Sequence, residues 1–201
     1  MKFFSLIYCS LVICASAVAQ DSISQSHRYF GIRLGVAISH PNFAKGSPPS
    51  DFKTIWGAGL TGGFFLNVPV SENLTIQPEY IFRQMNSEIT ESKTSLRFSY
   101  LSLPVFLKYR IVKKLNLLAG PQFDLLIKAE RKTNGETTDI TRDTEERSIA
   151  AVVGLEYNFW KTMALDVRYI HGFNHIATEP EMGAGYEFKF EGLQVTVGVS
   201  F

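Results

Sequence analysis

Four histidines and nineteen carboxylates are the side chains with which this chain could do metal or acid–base chemistry, and their spacing decides whether they can. His171 and His175 stand four apart, the interval at which two imidazoles share one helix face and hold zinc. The residues around them alternate apolar and polar, however, and on a strand four residues span about 13 Å at a rise of ~3.3 Å per residue. No joint metal site is expected there. Asp139, Asp143, Glu145 and Glu146 offer the oxygen ligands calcium takes, but Arg142 and Arg147 lie among them and no Asp-x-Asp-x-Asp run occurs, so a solvated loop is expected. A lipid hydrolase would need Ser or Asp beside His. His171 is followed by Gly172-Phe173, without a serine two or three positions on, and Gly-x-Ser-x-Gly is absent. The reading is therefore no enzyme, no metal and no cofactor. Charge is nearly balanced and has no long run of one sign, which argues against nucleic acid as a partner.

One further set of ionisable groups is patterned. Arg33, Glu79, Arg83, Lys108, Arg110, Asp124, Lys128, Glu156, Asp166 and Arg168 each fall on the small or polar side of a segment whose other side is apolar. Those segments must position them. Between Tyr100 and Glu130, Leu101, Leu103, Val105, Leu107 and Tyr109 alternate with Ser102, Pro104, Phe106, Lys108 and Arg110. After a turn at Val112-Lys113-Lys114, Leu115, Leu117, Ala119, Pro121, Phe123, Leu125, Ile127 and Ala129 alternate with Asn116, Gln122, Asp124 and Lys128. Period two means β-strand, and each segment is long enough to cross a bilayer, which takes ~9–11 tilted residues.

Similar alternation starts at Phe30, Trp56, Leu74, Ile149, Met163 and Leu193, which makes eight strands. Polar loops at His40–Thr54, Asn86–Ser95, Arg131–Arg147 and Asn174–Gly185 take turns with connections of about four residues. An even strand number with short turns at one end and long loops at the other predicts an all-β fold: an eight-stranded, antiparallel, up-and-down transmembrane β-barrel with periplasmic turns and extracellular loops. The N-terminus agrees. Lys2, an apolar run from Phe3 to Val18 and Ala17-Val18-Ala19 form a secretory signal over residues 1–19, followed by a short lead-in at 20–28 and a barrel domain at 29–201. Cleavage would remove Lys2, Cys9 and Cys14, leaving a chain of formal charge zero without thiols, so backbone pairing and packing must close the fold. The expected location is the outer membrane.

A soluble barrel of lipocalin type, apolar inside, is the alternative. It needs a strongly charged exterior, whereas the second face here is mostly Gly, Ala, Ser and Thr with one or two charges per strand, which suits a crowded lumen. Interfacial aromatics are expected below at Tyr29, Phe30, Tyr109, Tyr157, Phe159, Trp160 and Phe201, and above at Trp56, Phe82, Phe98, Tyr100, Tyr169, Phe173, Tyr186, Phe188 and Phe190. Pro78, Pro104 and Pro121 lie inside strands, and bulges are expected to absorb their missing donors. An interior of eight strands is only just wide enough for side chains, so the inward charges read as a salt-bridge plug.

Gln77-Pro78-Glu79-Tyr80, Tyr100-Leu101-Ser102-Leu103-Pro104, Lys108-Tyr109-Arg110, Ala119-Gly120-Pro121 and Asp166-Val167-Arg168-Tyr169 occur in an order and spacing that resembles the PorT-like outer-membrane β-barrel family from about Tyr29 to Phe201. The resemblance implies a barrel inserted by the barrel-assembly machinery, with outer-membrane lipid around it. Its namesake's part in protein secretion would add secretion-system partners. The ending Val197-x-Val199-x-Phe201 looks like an outer-membrane assembly signal. Three roles follow as expectations: a monomeric structural or surface-interaction barrel first, a secretion component second, a narrow porin-like channel third.

Overall fold

The computed structural model describes residues 29–45, 54–55, 57–89, 94–133, 136–141, 147–173, 176–177 and 187–201. Within them, eight long strands follow one another: β1 Phe30–Lys45, β2 Gly57–Leu66, β3 Leu74–Ile89, β4 Thr94–Val112, β5 Leu115–Thr133, β6 Arg147–Asn158, β7 Met163–Gly172 and β8 Glu187–Ser200. Each pairs antiparallel with the next, and β1 pairs with β8 from Gly31 opposite Ser200 to Lys45 opposite Glu187. The sheet is therefore a closed barrel. Closure matters because every backbone donor in a bilayer must be met within the protein, and a closed sheet has no free edge. The pieces Thr54–Ile55 and Val68–Pro69 pair with β3, Glu136–Asp139 with β5 and Ile176–Ala177 with β8. Residues 1–28, which include the expected signal and lead-in, lie outside the described residues, as do Trp56, His175, Asp143, Glu145, Glu146 and Tyr186.

Faces alternate as period two requires, with the apolar side outward. Leu34 is 70% and Leu60 66% exposed, whereas Arg33 and Arg168 are each 2% exposed. That inversion removes the lipocalin reading, since a soluble barrel would place its leucines inside.

Three expectations are corrected. The prolines do not make bulges. Pro78 opposite Val105 and Ile81 opposite Ser102 belong to one register, and only the two pairs between them, at Pro104, are missing from the ladder. Pro104–Gln122 and Leu107–Ala119 likewise share a register across Pro121. A single absent N–H opens the ladder locally, and the neighbouring bonds hold the alignment. The shifts lie elsewhere, between Ser99 and Tyr100 and between Arg110 and Val112. At the first, Ser99 faces Lys128 while Tyr100 faces Leu126, so β5 carries an extra residue and its faces exchange beyond it. Ala129 is consequently buried and Lys128 exposed, the reverse of unbroken alternation.

Phe98 and Tyr100 are also not girdle residues. Both point inward with Ser102 and Phe106, and they pack with Met85, Ala129 and Ile140 in an apolar cluster under the outer mouth. Phe82, Tyr169 and Phe173 remain outward above, and Tyr29, Phe30, Tyr109, Tyr157, Phe159, Trp160 and Phe201 remain outward below. The side chains of Phe188 and Phe190 are among those not described.

Candidate functional site

The lumen is filled in tiers by charged side chains that strand parity aims inward. In the middle tier, Glu79 of β3 receives two guanidinium groups. Arg168 of β7 binds it with two bonds, Nη1 to Oε2 at 2.7 Å and Nη2 to Oε1 at 2.9 Å, and Arg33 of β1 reaches Oε1 at 2.9 Å. Asp166 closes the set, with Oδ1 2.6 Å from Arg168 Nε and Oδ2 3.4 Å from Arg33 Nη1. Two positive and two negative groups thus meet across the barrel, and paired planar forks are the strongest form such contacts take. Asp166 and Arg168 stand two apart on one strand, so they share a face and can meet only there. Gln77 Nε2 donates to Glu79 Oε1 at 2.5 Å, and Arg33 Nη1 donates to Thr196 Oγ1 at 3.4 Å.

Above this tier, Arg83 Nη2 lies 2.9 Å from Asp124 Oδ2. The same carboxylate accepts from Ser102 Oγ at 2.5 Å and from Gln122 Nε2 at 2.9 and 3.1 Å. Below it, Lys108 Nζ lies 3.2 Å from Glu156 Oε1, which also accepts from Asn116 Nδ2 at 2.9 Å. Apolar rings fill what remains. The Arg33 guanidinium sits 4.5 Å from the centre of Phe65, and that of Arg168 4.5 Å from the centre of Phe106. Phe106 is fully buried among Leu118, Ala150, Val152 and Ile170.

Two glycines make the room. A Cβ on Gly31 would overlap the Phe65 ring, and one on Gly154 would stand 2.9 Å from Arg168 Cγ. A side chain at Gly31 would displace the ring that supports Arg33, and one at Gly154 would press on Arg168 itself and on the Val167 carbonyl.

Of the expected lumen residues, Arg33, Glu79, Arg83, Lys108, Asp124, Glu156, Asp166 and Arg168 meet in these tiers. Lys128 does not. It is exposed and pairs with Glu130 at 2.6 Å, because the extra residue in β5 turns it outward. Arg110 is likewise exposed at the periplasmic rim. With both removed, the inward set holds four basic and four acidic groups and is neutral. The neutral partners Gln77, Ser102, Asn116, Gln122 and Thr196 and the rings of Phe65 and Phe106 were not singled out from the sequence. The signal was there for most of them, since Ser102, Phe106, Asn116 and Gln122 alternate on the same face as Lys108 and Asp124, and Gln77 stands two residues before Glu79.

At the seam, Val197 lies opposite Leu34 and Leu165, and Val199 opposite Ile32 and Met163. Phe201 N donates to Phe30 O at 2.8 Å, and the two rings stack at 6.4 Å.

A model of the outer membrane protein beta-barrel domain matches residues 18–178, most of the chain. The chain belongs to that family. This barrel is an outer membrane protein. No curated protein matches it. Among solved structures, it is similar to Ail, the attachment invasion locus protein of Yersinia pestis, at 17% identity and a TM-score of 0.52, covering 87% of this chain and all of that one. It is also similar to Neisserial surface protein A, at 11% identity and a TM-score of 0.57, covering 86% and 97%. At such identities the likeness is one of fold. The motifs that carry the PorT-like resemblance supply much of this barrel's plug: Gln77, Glu79, Ser102, Lys108, Asp166 and Arg168 all come from them.

Proposed function

We propose that this outer membrane barrel does not conduct and has no catalytic role, and that it acts as a structural element presenting its outer ends to partners at the cell surface. The middle tier supports this reading: Arg33, Glu79, Asp166 and Arg168 come from three strands, meet across the lumen and are almost wholly buried. An ion would have to part paired charges in a space with little water, and in low dielectric that separation is expensive. Long strands suit the outward role. β4 and β5 run 19 residues each, about 60 Å at ~3.3 Å per residue, against 10 residues in β7. One wall of the barrel therefore has more length than a bilayer requires. Ail, a barrel of the same fold, has been seen in complex with the heparin analogue sucrose octasulfate. Purified protein in a planar bilayer is expected to give no steady current. Regular single-channel steps, with an ion selectivity that changes in Glu79→Gln, would replace this reading with that of a channel.

Insertion by the barrel-assembly machinery belongs to the same proposal, with Val197, Val199 and Phe201 as its signal. Phe201→Ser is expected to lower the heat-modifiable, assembled form severalfold while leaving export across the inner membrane unchanged. Unaltered amounts of that form would remove the signal role. The finer PorT-like assignment, with its secretion-system partners, stands on motif order alone and ranks below the surface role.

A further inference from the structure

A cavity of about 830 Å³ opens at the periplasmic end, between the turns at Asn73, at Lys113-Lys114 and at Lys161-Thr162. Its floor is the neutral plug, so it is blind. Six basic and two acidic side chains line it, and both acids are committed: Glu156 to Lys108, Asp166 to Arg33 and Arg168. The excess positive charge comes from Arg110, Lys113, Lys114 and Lys161 at the rim. Among the described residues, no carboxylate lies within 4 Å of Arg110, Lys113 or Lys114.

Like charges gathered round a concave surface with low-dielectric walls repel one another and focus a positive potential into it. Nothing in the folding of the barrel requires this, because the three side chains are exposed and sit on a turn and a strand end. The volume falls in the range of small-ligand sites. Ammonium groups act as point charges for phosphate, and a guanidinium can hold two of its oxygens. Asn73 and Thr75 add neutral hydrogen-bonding groups to the wall. Phe159 and Trp160 beside Lys161 place aromatic rings at headgroup level, as interfacial anchors do.

We propose that this vestibule is a binding site for a phosphate-bearing ligand, held by Arg110, Lys113 and Lys114 on the periplasmic side. The phosphate belongs either to a phospholipid headgroup of the inner leaflet or to a soluble phosphoester.

The test is calorimetric titration of the full barrel, in micelles of an uncharged, phosphate-free maltoside detergent, with tripolyphosphate at low salt. Saturable binding is expected, weakened at least tenfold in Arg110→Gln/Lys113→Gln/Lys114→Gln and less in Lys113→Gln/Lys114→Gln. It should weaken as salt screens the charges. Lys128→Gln/Lys132→Gln removes two cations at the opposite end and should leave binding unchanged. Nanodiscs with phosphatidylglycerol separate the sources: loss of tripolyphosphate binding there means that headgroups fill the site, and retained binding means a soluble ligand. Either pattern upholds the site. No saturable binding in the phosphate-free micelles, or equal weakening by the control pair, overturns it.

Discussion

Glu79→Gln is expected to lower the unfolding free energy of the barrel by about 3–5 kcal/mol, the usual cost of leaving buried charge without its partner. Glu79 bridges Arg33 and Arg168 with contacts of 2.7 to 2.9 Å, and its side chain is fully buried. Removing its charge leaves two guanidinium groups facing Asp166 alone. A glutamine of the same length keeps a carbonyl acceptor but offers no charge, and its amide nitrogen would point toward a guanidinium donor. Urea titration of the folded barrel in lipid vesicles, followed by tryptophan fluorescence, measures the shift. Lys128→Gln is the internal contrast: its pair with Glu130 is half exposed, and water screens such pairs so that they contribute little. If Glu79→Gln moved the midpoint no further than Lys128→Gln does, the lumen would be hydrated and the plug reading would fail. Adding Arg168→Met to Glu79→Gln should restore part of the loss, because the two groups act as one unit and their effects do not add.

The second large effect is expected at Phe106. Truncation to alanine should cost about 3–5 kcal/mol, as large-to-small changes in closed cores do. Phe106 is fully buried, packs on Leu118, Ala150, Val152 and Ile170, and lies under the Arg168 guanidinium. The barrel wall cannot collapse onto the space, since hydrogen bonds fix the distance between strands. A cavity would therefore persist beside the middle tier, and Arg168 would lose a contact that holds its fork toward Glu79. Phe106→Leu keeps most of the volume and is expected to cost less than half as much. The same unfolding titration checks both variants, and equal stability of Phe106→Ala and wild type would mean that the interior is not packed.

Much of the architecture was legible because a membrane barrel has few ways to satisfy its backbone. Alternation with the apolar side outward, an even strand number, and long loops taking turns with short ones leave closure as the solution. Parity along each strand then places Arg33, Glu79, Asp124, Glu156 and Arg168 inside, and it requires nothing beyond the period of two. Phe98 and Tyr100 share that parity with Ser102. Their inward position was therefore readable, and reading them as interfacial aromatics gave their chemistry more weight than their place in the alternation.

Other features depend on the folded sheet. One extra residue in β5 opposite Ser99 and Tyr100 exchanges the faces beyond it, which moves Lys128 out and Ala129 in. Nothing in the local sequence marks that point, because the bulge arises from matching two strands whose residue counts differ between fixed ends. The prolines are the converse case. Local rules predict bulges at Pro78, Pro104 and Pro121, but the bonds on either side hold the register, so each opens the ladder toward one neighbour without shifting it. Pairing within the lumen is also tertiary. Glu79 and Arg168 are 89 residues apart, and the sequence by itself determined only that both face inward. That they meet, and that the set they join is neutral, was decided by closure of the barrel, which sets the height of each strand against its neighbours and so chooses which charges lie level.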